Sequence, residues 1–154
     1  ILLNYLILIG AGIIGQIIVT LIGIDPQQQS INQQGIEKML KSNYFIFAAS
    51  GVLIGPFAEE IIYRKAIFDI FDEKFKFNPG IVCILSGLLF GLIHVILNIN
   101  SENLKELYMA IPYVFQGFAL SFMYVHYKRN IIVPIAVHIL SNYIALMLMF
   151  MAPQ

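Results

Sequence analysis

Apolar and polar positions alternate on a long scale, dividing the chain into five apolar stretches, about 1–24, 43–71, 80–99, 107–127 and 131–151. Each is about 20 residues or more, enough for a helix to cross the hydrocarbon core of a bilayer. The connectors are polar: 25–42, with Pro26 and a cluster of Gln, Asn and Ser, then 72–79, 100–106 and the short 128–130. The apolar runs are continuous and lack the two-residue alternation of a membrane strand, so the pattern predicts an all-α, polytopic transmembrane helix bundle. The second stretch is overlong and carries charges. No internal repeat or low-complexity tract interrupts the pattern, and residues 1–154 read as a single domain with its motif-bearing core at about 44–151. The chain is apolar from Ile1 onward, without the short apolar region and cleavage site of a signal peptide, so further helices of a longer protein are expected upstream.

Composition supports this picture. Hydrophobic residues make up 59% and charged residues 12%, with a mean hydropathy of +0.82, whereas about a quarter of a soluble domain is charged. A formal charge of zero and the lack of a basic run exclude a nucleic-acid partner, because phosphate binding needs a clustered cationic face. The partners left are the bilayer, a hydrophobic or membrane-bound peptide or protein, and another membrane protein. Cys83 lies in an apolar run and reads as a small buried hydrophobe, offering no disulfide framework. Arg64, Lys65, Lys74, Lys76, Lys128 and Arg129 flank the second and fourth connectors, while only Lys38, Lys41 and Lys105 flank the first and third. Short cytoplasmic loops are enriched in Lys and Arg, so the second and fourth connectors are expected in the cytoplasm and Gln154 outside, in a multi-pass cell-membrane protein.

Against this background each ionisable side chain in a span needs a partner or a task, since it costs at least about 2.5 to 3.5 kcal/mol near the helix centre. In Glu59-Glu60-Ile61-Ile62-Tyr63-Arg64, Glu60 and Arg64 are four apart and can pair on one helix face, a structural role. Glu59 points about 100° away and has no cation at helical spacing, which makes it the better candidate for chemistry. Gly87 and Gly91 form a GxxxG face for close helix approach. Phe90 and His94 are four apart, so the ring can pack beneath the imidazole and hold it. His138 and Asn142 also share a face, with Pro134 in the first turn of their helix, where its missing N–H does no harm.

Depth ties these groups together. Measured from helix ends at Phe71, Gly80 and Ile131, Glu59 lies about 18 Å in, His94 about 21 Å, His138 about 11 Å and Asn142 about 17 Å. One intramembrane cavity can therefore receive all four. A carboxylate and an imidazole, Glu59 and His94, can activate a water, while His138 and Asn142 donate to the oxyanion of an attacked peptide carbonyl. Ser141 faces away beside Asn142, and Cys83 is remote from His94, which disfavours a covalent nucleophile. The alternative is a divalent metal such as zinc held by Glu59, His94 and His138 with an open position, although no HExxH helix is present. Tyr113 and Gln116 line the cavity or bond across helices, and Pro112 is expected to kink their helix near its outer end. A proton or ion pathway is a weaker reading, because Gln116, Ser121 and Tyr124 make poor relay members.

The ordered set Glu59-Glu60-x-x-x-Arg64, Phe90-x-x-x-His94 and His138-x-x-x-Asn142, spread over residues 53–149, resembles the CAAX-processing and bacteriocin-processing intramembrane endopeptidases, the CPBP or Abi family. That resemblance implies a membrane protease of about eight helices with a conical cavity opening to the cytoplasm and bilayer. It implies water activation by Glu59 and His94 and an oxyanion site at His138 and Asn142, by a glutamate-type or a metallo-type mechanism. The Ile-, Asn- and Lys-rich composition suggests a bacterial chain and favours peptide pheromone or bacteriocin processing or immunity over cleavage of prenylated CAAX proteins. The alternative is an inactive Abi-like scaffold or immunity protein that acts by binding a partner.

Overall fold

Among residues 1–25, 28–99 and 103–151, which the computed structural model describes, every regular element is helical. The elements are α1 (Leu2–Leu21), α2 (Ile31–Ser42), α3 (Tyr44–Ala49), α4 (Gly55–Glu60), α5 (Pro79–Ile93), α6 (Ala110–His126) and α7 (Ile132–Met151). Among the described residues, four stretches are long and apolar enough to cross a membrane: Leu2–Leu21, Pro79–Asn98, Leu104–His126 and Ile132–Met151. The chain is a helical membrane protein, as its hydropathy pattern predicts. Pro26, the start of the third connector and Gln154 lie outside the described residues.

The expected second span is helical from 44 to 74 but is not one regular α-helix. α3 and α4 alternate with wider π turns at Ser50–Ile54, Ile61–Ala66 and Asp69–Lys74. Pro56 accounts for the first of these. It has no N–H to give and its ring crowds the carbonyl one turn back, so the backbone widens and the Gly55 N–H reaches the Ser50 carbonyl instead. The carbonyl of Gly51 is thereby left over, and the functional site uses it.

Two boundaries differ from the sequence expectation. The connector 25–42 contains α2, whose first turn is capped by Ser30 accepting from the Gln33 N–H at 3.1 Å. Its polar residues outweigh Ile36 and Leu40, so hydropathy alone hides an amphipathic helix lying against the bundle. The third span runs to Asn98, close to the expected residue 99, but its regular α-helix stops at Ile93 and a 3₁₀ turn at Ile96–Asn98 completes it. Where the α-helix stops, the His94 Nδ1–H bonds to the Phe90 carbonyl at 2.7 Å, taking the acceptor that the His94 backbone N–H would use in a continuing helix. Pro112 falls in the first turn of α6, just after a 3₁₀ segment at Leu104–Met109, so the irregularity expected there is a change of helix type before the proline rather than a kink at it.

α6 is the central helix, packed against α1, α5 and α7. A Cβ on Gly91 would stand 2.8 Å from the Val114 backbone N and 2.9 Å from the Ala110 carbonyl, and one on Gly87 2.9 Å from the Phe118 backbone N. The GxxxG face of α5 therefore meets α6 backbone to backbone, where no side-chain rotation can make room. Gly91→Ala is expected to destabilise the protein by about 1–3 kcal/mol through overpacking, seen as a lowered thermal unfolding midpoint in detergent. An unchanged midpoint would mean that the α5–α6 contact is loose. At the other end of the bundle, Lys128 and Arg129 adopt left-handed conformations (φ 55° and 62°) in the tight turn between α6 and α7. Arg129 pairs there with Asp72 and Glu73 and ties the second connector to the fourth.

Candidate active site

Glu60 and Arg64 are fully buried and form an ion pair at 2.9 Å, as their spacing predicts. Arg64 also donates through Nη2 to the Gly117 carbonyl at 3.1 Å and lies over the Phe90 ring, 4.9 Å from Cζ to the ring centroid. The other carboxylate oxygen of Glu60 accepts from His138 Nδ1 at 2.8 Å. Glu60 thus bridges Arg64 and His138 and joins the 44–74 run to α7. Helical spacing could not have revealed this second partner, which is 78 residues away.

Glu59 turns away from the pair, with its side chain 33% exposed. Its carboxylate lies 3.7 Å from His138 Nε2, so the partner that sequence spacing did not supply comes from another helix. The bond from His138 Nδ1 to Glu60 sets the ring chemistry: Nε2 can donate only when the imidazole carries both protons, with carboxylates facing both nitrogens.

His94 is held in three ways. Its Nδ1–H donates to the Phe90 carbonyl, the Phe90 ring lies 4.6 Å away between centroids, and Tyr113 stacks on it at 4.5 Å with planes 16° apart. The neutral ring therefore keeps a lone pair on Nε2. Tyr113 in turn shares a hydrogen bond with the Ser30 hydroxyl at 3.3 Å, linking His94 to the start of α2. Asn142 donates one Nδ2 hydrogen to the Gly51 carbonyl at 3.1 Å, the acceptor released by Pro56, and has a second hydrogen to offer.

Glu59, His94, His138 and Asn142 all line one cavity of about 510 Å³, with Tyr113 and Gln116 also in its wall. The four residues named from sequence are thus brought together. Ser141, expected to face elsewhere, lines the same cavity. It lies next to Asn142 in sequence, and the cavity wall is broad enough to take in both faces.

The cavity runs from the middle of the bundle toward one end. It takes in the end of α5, the first turns of α6, α7 from His138 to Met149, the run from Ala48 to Glu59 and the α2 residues Ile36 and Leu40. The first and third connectors are at that end, whereas the six clustered cations flank the second and fourth. The cation count therefore does not by itself say toward which side of the membrane the cavity opens. Nor is His94 mid-helix, since it caps the end of α5.

Among the described residues, no three His, Cys, Asp or Glu side chains stand together as a metal-ligating group. Glu59 and His138 approach each other, but the zinc set Glu59, His94 and His138 does not fit the side chains as they are placed.

A family model described as Rce1-like, type II CAAX prenyl endopeptidase Rce1-like, matches residues 41–144. The chain is 33% identical over 138 residues to "Putative membrane peptidase YdiL" of Bacillus subtilis (strain 168), covering 90% of this chain and 50% of that protein. It is 32% identical over 114 residues to "Membrane-embedded CAAX protease MroQ" of Staphylococcus aureus (strain USA300), covering 71% of this chain and 41% of that protein. An uncharacterized protein of Mycoplasma capricolum is 32% identical over 98 residues, 64% of this chain and 25% of that one. The chain thus spans half or less of the length of these curated relatives. No solved structure matches it.

Proposed function

Since the chain belongs to the Rce1-like family of type II CAAX prenyl endopeptidases, we propose that it acts as an intramembrane endopeptidase on hydrophobic or membrane-associated peptides. The observation that carries this reading is the shared cavity, in which Glu59 is free of the Glu60–Arg64 pair and faces His138 at 3.7 Å.

A water between the Glu59 carboxylate and His94 Nε2 gives a proton to Glu59 as its oxygen attacks the peptide carbonyl carbon. The carbonyl π pair moves onto oxygen. His138, held at Nδ1 by Glu60, faces that oxyanion with Nε2 and donates to it when the ring carries both protons, and Asn142 donates its second Nδ2 hydrogen. Collapse of the tetrahedral intermediate breaks the C–N bond, and Glu59 returns its proton to the leaving amine. Glu60 and Arg64 act by fixing His138, and Phe90 by fixing His94.

The relatives are all bacterial, which supports peptide pheromone or bacteriocin precursors as substrates over prenylated proteins. Cleavage of a fluorogenic apolar peptide by the full-length protein in liposomes tests the activity, and turnover is expected to be unchanged by EDTA. Loss of turnover on chelation, restored by zinc, would replace the water mechanism with a metal-dependent one. Absence of turnover under all conditions would favour a scaffold that works by binding.

Sidedness needs its own measurement. The Lys and Arg bias puts the second and fourth connectors in the cytoplasm, so a single cysteine at Lys76 should label from the cytoplasmic side and one at Gly35 in α2 from the opposite side. The reverse labelling would place the end toward which the cavity runs on the cytoplasmic face.

A further inference from the structure

Beside the catalytic cavity lies a second one of about 460 Å³, walled by α1, residues 28–33 and the start of α6. Gln33, Tyr113 and Gln116 line both, so the two share a wall. Among the described residues no charged side chain lines the second cavity. Its polar surface consists of the Ser30 and Tyr113 hydroxyls and a group of carboxamides that includes Gln16, Gln28 and Gln116. Gln16 and Gln116 make no side-chain hydrogen bond to a described residue, although both line a cavity between spanning helices. Glycine holds this space open. α1 and α6 touch at Gly15, where a Cβ would stand 2.5 Å from the Pro112 Cα, and one turn earlier a Cβ on Gly12 would stand 2.6 Å from Gln116 Nε2.

Resting on the protease reading above, the geometry points to this second cavity as the subsite that holds the substrate's backbone on one side of the scissile bond. An extended peptide inside a bilayer must satisfy each of its N–H and C=O groups. A carboxamide offers one acceptor and two donors without charge, so several of them can pair with successive peptide groups whatever the side chains are. A prenyl or acyl chain in the same place would leave the carboxamides unpaired, which is unfavourable. The volume lies within the range of pockets that enclose a ligand. The residues Gln28, Gln29, Ser30 and Gln33, which have no part in the hydrolytic chemistry, thereby acquire a task.

The test uses full-length protein in liposomes and a synthetic apolar peptide long enough to occupy both cavities, together with versions shortened from either end. Gln16→Leu removes one carboxamide with little change of shape. The kcat/KM ratio of long to shortened peptide is expected to fall about tenfold, mainly through KM, for shortening from one end only. An unchanged ratio overturns the subsite, and an equal loss for all lengths overturns it in favour of a water route. Independently of turnover, a photoreactive residue at position 16 in the Glu59→Gln protein is expected to crosslink that end of the peptide. Wild-type cleavage without crosslinking overturns the subsite alone. Crosslinking without wild-type cleavage supports the subsite and overturns the hydrolase reading.

Discussion

Glu59→Gln is expected to lower peptide cleavage by about 10²- to 10⁴-fold, the range supplied by a positioned general base. The carboxamide keeps the volume and can still bond to water, but it cannot accept the water's proton. The fold should tolerate the change. Glu59 is one-third exposed and stands 3.7 Å from its nearest ionic partner, beyond hydrogen-bond range, so the unfolding midpoint should move little. Measuring turnover and thermal unfolding on the same preparation separates the two effects. Undiminished turnover in folded protein would sink the mechanism. A collapsed midpoint would instead make Glu59 a structural residue.

The opposite pattern is expected one helical turn away. Arg64→Met strands Glu60, which is fully buried and left with His138 alone. Breaking a buried pair by removing one partner costs about 3–5 kcal/mol, because an uncompensated charge remains inside. The variant should therefore unfold at a much lower temperature in detergent or be degraded in the membrane. Removing both charges, as Glu60→Gln with Arg64→Met, should recover much of that stability, since the pair's attraction mainly offsets its own desolvation. Cleavage should not return, because His138 then lacks the carboxylate that faces its Nδ1–H and fixes its ring. A single Arg64→Met protein as stable as the wild type would show that the pair does not hold the helices. Recovery of cleavage in the double variant would remove Glu60 from the support of His138.

These two expectations were not equally legible in the sequence. The Glu60–Arg64 pair and the Phe90–His94 contact lie within one helical turn, where periodicity alone fixes which side chains meet. The freedom of Glu59 follows from the same periodicity, as the face left without a cation. The bond from Glu60 to His138 and the bond from Asn142 to the Gly51 carbonyl join helices 78 and 91 residues apart in sequence. No spacing rule reaches across such separations. The second bond also depends on a backbone group freed by Pro56, which required knowing how the helix widens around it.

By itself the sequence determined the membrane character, the helical class, the face of α5 that lets another helix approach closely and the four side chains that share a cavity. Hydropathy is additive along a segment, and side-chain order within a turn is set by the 3.6-residue repeat. Tertiary structure alone decided where α5 ends, that α2 forms a wall of the site, that Glu60 serves His138 as well as Arg64, and that the cavity runs toward the end away from the cation-rich connectors. Each of these depends on which competing partner wins a donor or acceptor, or on which half of the bundle two distant segments share. Such outcomes follow from packing in three dimensions.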